Sequence, residues 1–377
     1  MRQNSPSIFP TKTVGVIDLT KIVGFIVGNA NPNGAKKMRT PIFALAVTAM
    51  AVPTYADELN IYSYRQPELI QPLLDAFTDK TGIETNVAFV NKGLVERLRA
   101  EGSRSPADII LTVDISRLTD AKDAGVTQPV SSDVLNSTIP AALRDPEGHW
   151  FGLTTRARIV YASKDRVAEG EVTTYEDLAD PKWAGRICTR SGTHVYTLGL
   201  LSAVIEHNGE EAAEAWLEAV KNNLAKDPEG NDRAQVKSIW AGECDISLGY
   251  TYYMGAMLND AEQAEWANSV RIEFPTFADN NSTHVNVSGV AMTTSAPNRE
   301  NAVKFMEFLA SPTAQAIYAS VVHEYPASPE ASPSDLVASW GEFTPDDTNL
   351  AAIAQNRAAA LRMVERVDFD GGAGTGG

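Results

Sequence analysis

From residue 57 onward the apolar positions follow two alternating periods, one near two residues and one near 3.6, which predict strands and helices in turn. Leu59-Asn60-Ile61-Tyr62 alternates as a short strand. Residues 68–79 place Leu69, Ile70, Leu73, Leu74 and Phe77 on one helical face, with a stop near Gly82. Residues 85–90 form a second strand, and 93–101 a second helix carrying Leu94 and Leu98 before Gly102. Asp108-Ile109-Ile110-Leu111 is apolar after its first residue, as expected of a parallel strand covered on both faces. The order βαβαβ implies an open α/β sheet.

The alternation resumes beyond residue 156. Strands are predicted at 158–162, 185–188 and 245–249, and a long alternating one at 284–292. Helices are predicted at 195–207 (Leu198, Leu201 and Ile205 in phase, Gly209 as the stop), 211–221, 232–241 and 298–310. Ser311-Pro312 reads as a cap and first-turn proline opening a short helix to residue 319. The Pro- and Ser-rich run 326–345 is expected to wind over the surface, one helix to cover 350–367, and 370–377 to form a frayed Gly-rich end. Two α/β units joined by extended segments predict two lobes. Lobe one is assigned to 57–155 and 283–332, lobe two to 156–282 and 333–370, with 371–377 as a tail and crossovers near 155–158 and 278–286. Ligands of open α/β sheets sit outside the carboxyl ends of the strands. Tyr62 to Gln66, Arg156 and two tyrosine clusters all fall near such ends, so one cleft shared by both lobes is expected.

The N-terminal 56 residues follow a different logic. Lys36, Lys37 and Arg39 precede an apolar stretch from Pro41 to Val52, and Thr54-Tyr55-Ala56 has small residues where a signal peptidase needs them. Residues 38–56 are therefore expected to be a secretory signal cut after Ala56, and 1–37 a mis-annotated extension. The rival reading is a long N-terminal extension or membrane anchor, although the apolar run falls short of the ~20 residues that span a bilayer. Residues 1–56 hold six Lys/Arg and one acid, leaving 26 Lys/Arg against 47 Asp/Glu, a net −21 on the exported portion. That acidity argues against nucleic acid or an anionic membrane as partner. Two cysteines in an exported chain favour one disulfide, Cys188 with Cys244, over a zinc site.

Each cysteine is followed eight residues later by a tyrosine: Tyr196 behind Cys188, and Tyr252, with Tyr253 beside it, behind Cys244. If the cysteines pair, their continuations deliver three phenols to one place. A free phenol titrates near pH 10, so it becomes a ligand only for a strongly charged ion such as Fe3+. The same spacing also fits an aromatic wall for a sugar or polyamine, or plain packing. Tyr62-Ser63-Tyr64-Arg65-Gln66-Pro67 ends the first strand and opens the first helix, where free backbone N–H groups favour an anion. Arg65 adds a planar fork suited to an oxyanion, and Arg156 can serve likewise. The competing reading makes both arginines partners in interlobe salt bridges. Tyr62 and Tyr64 read as strand-end packing or cleft wall, His194 as a surface or loop residue, and Asp114 as a helix cap. Cys188 lacks a histidine evidently placed to activate it as a nucleophile, and the expectation is no enzyme activity.

These segments together resemble the periplasmic ferric-iron-binding proteins of bacterial ABC importers. The likeness rests on Tyr62-Ser63-Tyr64-Arg65-Gln66, Ala107-Asp108-Ile109-Ile110-Leu111-Thr112-Val113-Asp114 and Ile187-Cys188-Thr189-Arg190-Ser191-Gly192. It extends to Ala241-Gly242-Glu243-Cys244-Asp245 leading into Tyr252-Tyr253, and to His284-Val285-Asn286-Val287-Ser288-Gly289. The resemblance implies a two-lobed periplasmic-binding-protein-like fold (type II), with open α/β sheets joined by crossover hinge strands. It implies Fe3+ on Tyr196, Tyr252 and Tyr253, and carbonate or a similar synergistic anion on Arg65 and Arg156. It further implies a monomer in the periplasm that serves an inner-membrane ABC permease. Relatives with His or Tyr just after the arginine of the first motif gain another iron ligand; here Gln66 and Pro67 supply none, and Gln66 offers the anion a hydrogen bond instead. The alternative is a protein of the same fold that binds an organic cation or sugar on a tyrosine platform.

Overall fold

A computed structural model describes residues 57–90 and 92–373; the expected secretory segment 38–56, the stretch 1–37 and the last residues of the tail lie outside the described residues. The first lobe opens with β1 (Glu58–Ser63), α1 (Pro67–Thr81), β2 (Glu84–Phe89), α2 (Leu94–Glu101), β3 (Ile109–Thr112), α3 (Ile115–Asp123), β4 (Thr127–Gln128) and α4 (Asp133–Thr138). The long strand β5 (Phe151–Ser163) leads to β6 (Ile187–Cys188), α5 (Val195–Asn208), α6 (Glu210–Asn222), α7 (Asp232–Trp240), β7 (Ile246–Tyr250), α8 (Thr251–Leu258), α9 (Ala264–Asn268) and β8 (Val270–Glu273). The chain then returns through β9 (Val285–Thr293), α10 (Arg299–Ala310), α11 (Pro312–Val322) and β10 (Tyr325–Pro326), and ends with α12 (Asp335–Ala338), α13 (Leu350–Gln355) and α14 (Arg357–Val367).

Local chemistry explains the helix ends. Pro67 occupies the first turn of α1, and Gly82 closes it in the left-handed region (φ 73°), donating its N–H to Thr78 O. Asp114 caps α3 through Ser116 N, and Ser311 caps α11 through Ala314 N. Buried Ile70, Leu73, Leu74 and Phe77 seat α1 on the sheet, where Phe77 meets the Phe305 ring edge-on at 5.0 Å. No helix among the described residues is long and apolar enough to cross a membrane.

The strands run β2-β1-β3-β9-β5-β7-β6, parallel at β2-β1-β3 and at β7-β6, antiparallel between. All thirteen residues of β5 are buried because the strand serves two sheets. Its Phe151–Ala157 half pairs with β9; from Arg158 to Ala162 it pairs with β7. The partner changes between Ala157 and Arg158, within the predicted crossover, and the return crossover enters β9 where His284 O accepts from Arg158 N (2.8 Å). Cys188, at the end of β6, is bonded to Cys244, two residues before β7, at an S–S distance of 2.14 Å.

Three expectations change. The helix expected over 350–367 is two helices, α13 and α14, parted at Asn356, whose Nδ2 leaves the helical face to donate to Glu206 Oε2 (2.7 Å) and Ser202 O (3.3 Å). The run 326–345 is not all surface: Ala327, Ser328 and Val337 are buried. Asp370, expected to fray, lies in a 3-10 turn and accepts from Ser191 Oγ and from Gly192 N (2.6 Å), anchoring the chain end near the start of α5.

Candidate metal centre

The parallel pairing of β6 and β7, with Cys188 opposite Ser247, sends both continuations out on the same side of lobe two. Tyr196 is the second residue of α5; Tyr252 and Tyr253 are the second and third of α8. All three phenols therefore start helices, where the positive end of the helix dipole favours an anionic oxygen. The Tyr196 and Tyr252 hydroxyls stand 3.4 Å apart, and the Tyr252 and Tyr253 rings lie 4.1 Å apart at 31°. They line a cleft of about 400 Å³ together with Arg65, Gln66 and Arg156, so the fold brings all six predicted residues together. A larger cavity, about 570 Å³, opens between α3, α13 and α14 and holds none of them. Among the described residues no group of three His, Cys, Asp or Glu side chains is placed to hold a metal.

Two of the three phenols are held to their protons by the cleft. Burial pushes Tyr252 well above the usual range, and neighbouring Tyr196 and Tyr253 add to the shift while Arg156 opposes it. Tyr253 is pushed up to about 12 by burial, with Tyr196 and Asp232 reinforcing and Arg190 opposing. Guanidinium groups surround the cluster: Arg156 and Arg190 stand 5.5 and 5.0 Å from the Tyr196 ring, and Arg233 5.6 Å from the Tyr253 ring. His194, expected to be a surface or loop residue, ends the loop before α5 as its half-buried cap, and its Nδ1 accepts from Tyr196 N (3.1 Å). Burial, then Arg190, Arg158 and Arg117, lowers its pKa to about 3, so it is a neutral orienting group.

A buried cross-tie behind the phenols was not foreseen. Asp232, the first residue of α7, accepts from Arg190 Nη1 (2.8 Å), Arg158 Nη1 (3.4 Å) and Tyr250 N (3.1 Å). It thereby joins the β6–α5 loop, the crossover strand and the β7–α8 junction, the segments that carry the tyrosines. Arg190 stands in the sequence run quoted above, but nothing in its spacing marks Asp232 as its partner.

The facing wall combines residues of the first lobe with the crossover strand. Arg65 is buried, donating from Nε to Tyr318 Oη (3.1 Å) and from Nη2 to Ser288 Oγ (2.6 Å) and Glu324 Oε1 (2.9 Å). Arg156 donates from Nη2 to Val113 O and lies 3.5 Å from Asp114 Oδ2, so it is at once cleft wall and ion-pair partner. Gln66 is exposed at the mouth. Tyr62 packs away from the cleft with its hydroxyl on Glu101 (2.9 Å), whereas Tyr64 lines it under Arg117, 4.2 Å from the ring. Glu324, just past α11, also lines the cleft and escaped the sequence reading, because 259 residues separate it from Arg65.

The family model described as bacterial extracellular solute-binding protein matches residues 62–316. Iron uptake protein A1 of Synechocystis sp. is 42% identical over 320 residues, which is 84% of this chain and 89% of that protein. Among solved structures, ferric iron-binding protein A of Mannheimia haemolytica in an open conformation aligns with TM-score 0.81 and 48% identity, over 84% of this chain and 99% of that one. A Trichodesmium protein in complex with iron and citrate ligands aligns with TM-score 0.80 and 40% identity, over 83% and 99%. These relatives are solute-binding proteins rather than enzymes. The two-lobed fold, the cleft between its sheets and these matches place this chain in the bacterial extracellular solute-binding protein family.

Proposed function

We propose that this protein captures Fe3+ in the periplasm and delivers it to an inner-membrane ABC permease. Tyr196, Tyr252 and Tyr253 are the iron ligands, and a carbonate-like anion sits against Arg65, Gln66 and Arg156. The observation that carries the reading is the convergence of three phenols at helix starts, with the Tyr196 and Tyr252 oxygens 3.4 Å apart, opposite a wall holding two arginines. Three phenolates neutralise the ion, and the surrounding guanidiniums favour the deprotonated oxygens and the anion. The names of the relatives at 42% and 48% identity point the same way. Lobe one (57–155 and 283–332) and lobe two (156–282 and 333–370) close by bending at the β5 and β9 crossovers, the usual motion of two-lobed binders.

The stacked Tyr252–Tyr253 pair also has the shape of a platform for an organic cation or sugar. Arg156, Arg190 and Arg233 weigh against an organic cation, because such a guest releases no proton from the phenols to offset the repulsion. Colour separates the readings. Phenolate–Fe3+ complexes absorb visible light by charge transfer, so addition of ferric citrate and bicarbonate should turn the protein orange to red. A protein that stays colourless while binding a polyamine or sugar would sink the iron reading.

A further inference from the structure

We infer that Glu324 is the specificity-determining residue of the anion subsite: it favours a small, singly charged anion of the bicarbonate class and disfavours multiply charged phosphate or citrate. The inference rests on the iron-and-anion reading of the cleft. Glu324 is 1% exposed yet lines the cleft. Its carboxylate accepts from Arg65 Nη2 (2.9 Å), Thr154 Oγ1 (2.5 Å) and Ser288 Oγ (2.8 Å), contributed by three separate segments. A buried carboxylate is costly unless it is paired and hydrogen-bonded, and this one is both. Although burial alone would raise its pKa, Arg65 and Arg156, with the Thr154 and Ser288 hydrogen bonds, hold it below the usual carboxylate range, so it is an anion. The wall thus contains an oxyanion of its own.

Two consequences follow for a guest. The inner edge of the Arg65 guanidinium is occupied, by Tyr318 at Nε and by Ser288 and Glu324 at Nη2; among the described residues only Nη1 makes no hydrogen bond. Arg65 therefore offers a guest the Nη1 nitrogen alone rather than the two-nitrogen fork that suits phosphate or a carboxylate. Charge acts in the same direction. Arg65 and Arg156 are matched in the wall by Glu324 and Asp114, with Arg156 3.5 Å from Asp114 and Arg65 2.9 Å from Glu324. Each added charge on the guest is repelled by the fixed Glu324 carboxylate behind Arg65, whereas the other guanidiniums of the lining, Arg117 and Arg233, stand over the Tyr64 and Tyr253 rings.

The test is a displacement titration at pH 8. Wild type, Glu324→Gln and Glu324→Asp are loaded with Fe3+ and bicarbonate, then titrated with phosphate or citrate while the charge-transfer band is followed. Glu324→Gln should need at least about tenfold less phosphate or citrate for half-displacement than wild type, whereas Glu324→Asp, which keeps the charge, should stay within about threefold. Equal requirements in wild type and Glu324→Gln would overturn the assignment. Should Glu324→Gln fail to fold, the wild type decides: retention of bicarbonate against equimolar phosphate supports the inference, and replacement by phosphate overturns it. A wild type that takes up iron with none of these anions overturns the iron reading itself, an outcome distinct from an unchanged anion preference.

Discussion

The two walls of the cleft are built in opposite ways. The tyrosine wall is local: Tyr196, Tyr252 and Tyr253 start helices that follow neighbouring parallel strands, behind a disulfide that ties those strands, all within residues 188–253. The arginine wall is assembled from afar, with Arg65 from the β1–α1 loop, Arg156 from the crossover, Ser288 from β9, and Tyr318 and Glu324 from α11 and its end. The donors proposed to meet around one ion are held by short, stiff connections. Charges that must balance one another can come from anywhere the fold brings together, and they leave no spacing in the chain.

The sharpest way to break this contrast is at the cross-tie behind the phenols. Asp232→Ala should cost about 3–5 kcal/mol in denaturant unfolding, because it strands the buried Arg158 and Arg190 guanidiniums. A loss below 1 kcal/mol would show that the tie does not hold the tyrosine wall. Replacing both cysteines by serine should cost about 2–4 kcal/mol, the loop-closure effect of a bond across 56 residues. The folded variant should still turn orange with iron, since neither sulfur lines the cleft.

Tyr252→Phe removes one phenolate and should weaken Fe3+ binding by roughly a hundredfold, with loss of most of the visible band. An unchanged spectrum would remove Tyr252 from the ligand set. Proton competition gives the next effect. Tyr252 and Tyr253 are raised by burial, so iron must displace their protons, and affinity should fall as pH falls, by about tenfold per unit for each phenol protonated in the iron-free state. A flat ferric titration between pH 8 and pH 6 would contradict phenolate ligation.

The smallest effect lies away from both walls, where His207 Nδ1 and Nε2 meet Asp279 (3.0 Å) and Asp346 (2.9 Å). Burial disfavours the imidazolium, but the hydrogen bonds to Asp346 and Asp279 outweigh it and raise the His207 pKa. A raised histidine contributes stability that is fully present below the unfolded value near 6.5 and is lost as pH rises through the folded one. Wild type should therefore lose about 1 kcal/mol or less relative to His207→Gln on going from pH 6 to pH 9, read from denaturant midpoints.

Much of this arrangement was legible beforehand. The period of the apolar residues located α1, α5, α10 and most strands, because an amphipathic face must be written into the sequence to be buried. The break at Asn356 was not legible, since the apolar phase of 350–367 runs through it and the interruption depends on Ser202 and Glu206, more than a hundred residues away. His194 illustrates the same limit: its type and position fit a loop, whereas its role as a neutral cap depends on burial near Arg190, Arg158 and Arg117.

By itself the chain determined its α/β alternation, its disulfide and its three candidate phenols, because local period and short spacing survive without coordinates. Only the tertiary structure decided how those phenols are restrained and what faces them. Asp232 draws Arg158 and Arg190 beneath the tyrosines, and Glu324 occupies the inner edge of Arg65. Pairing of buried charges is decided by distance in space, and it is this pairing that sets Glu324 against Arg65 and Asp114 against Arg156 in the wall.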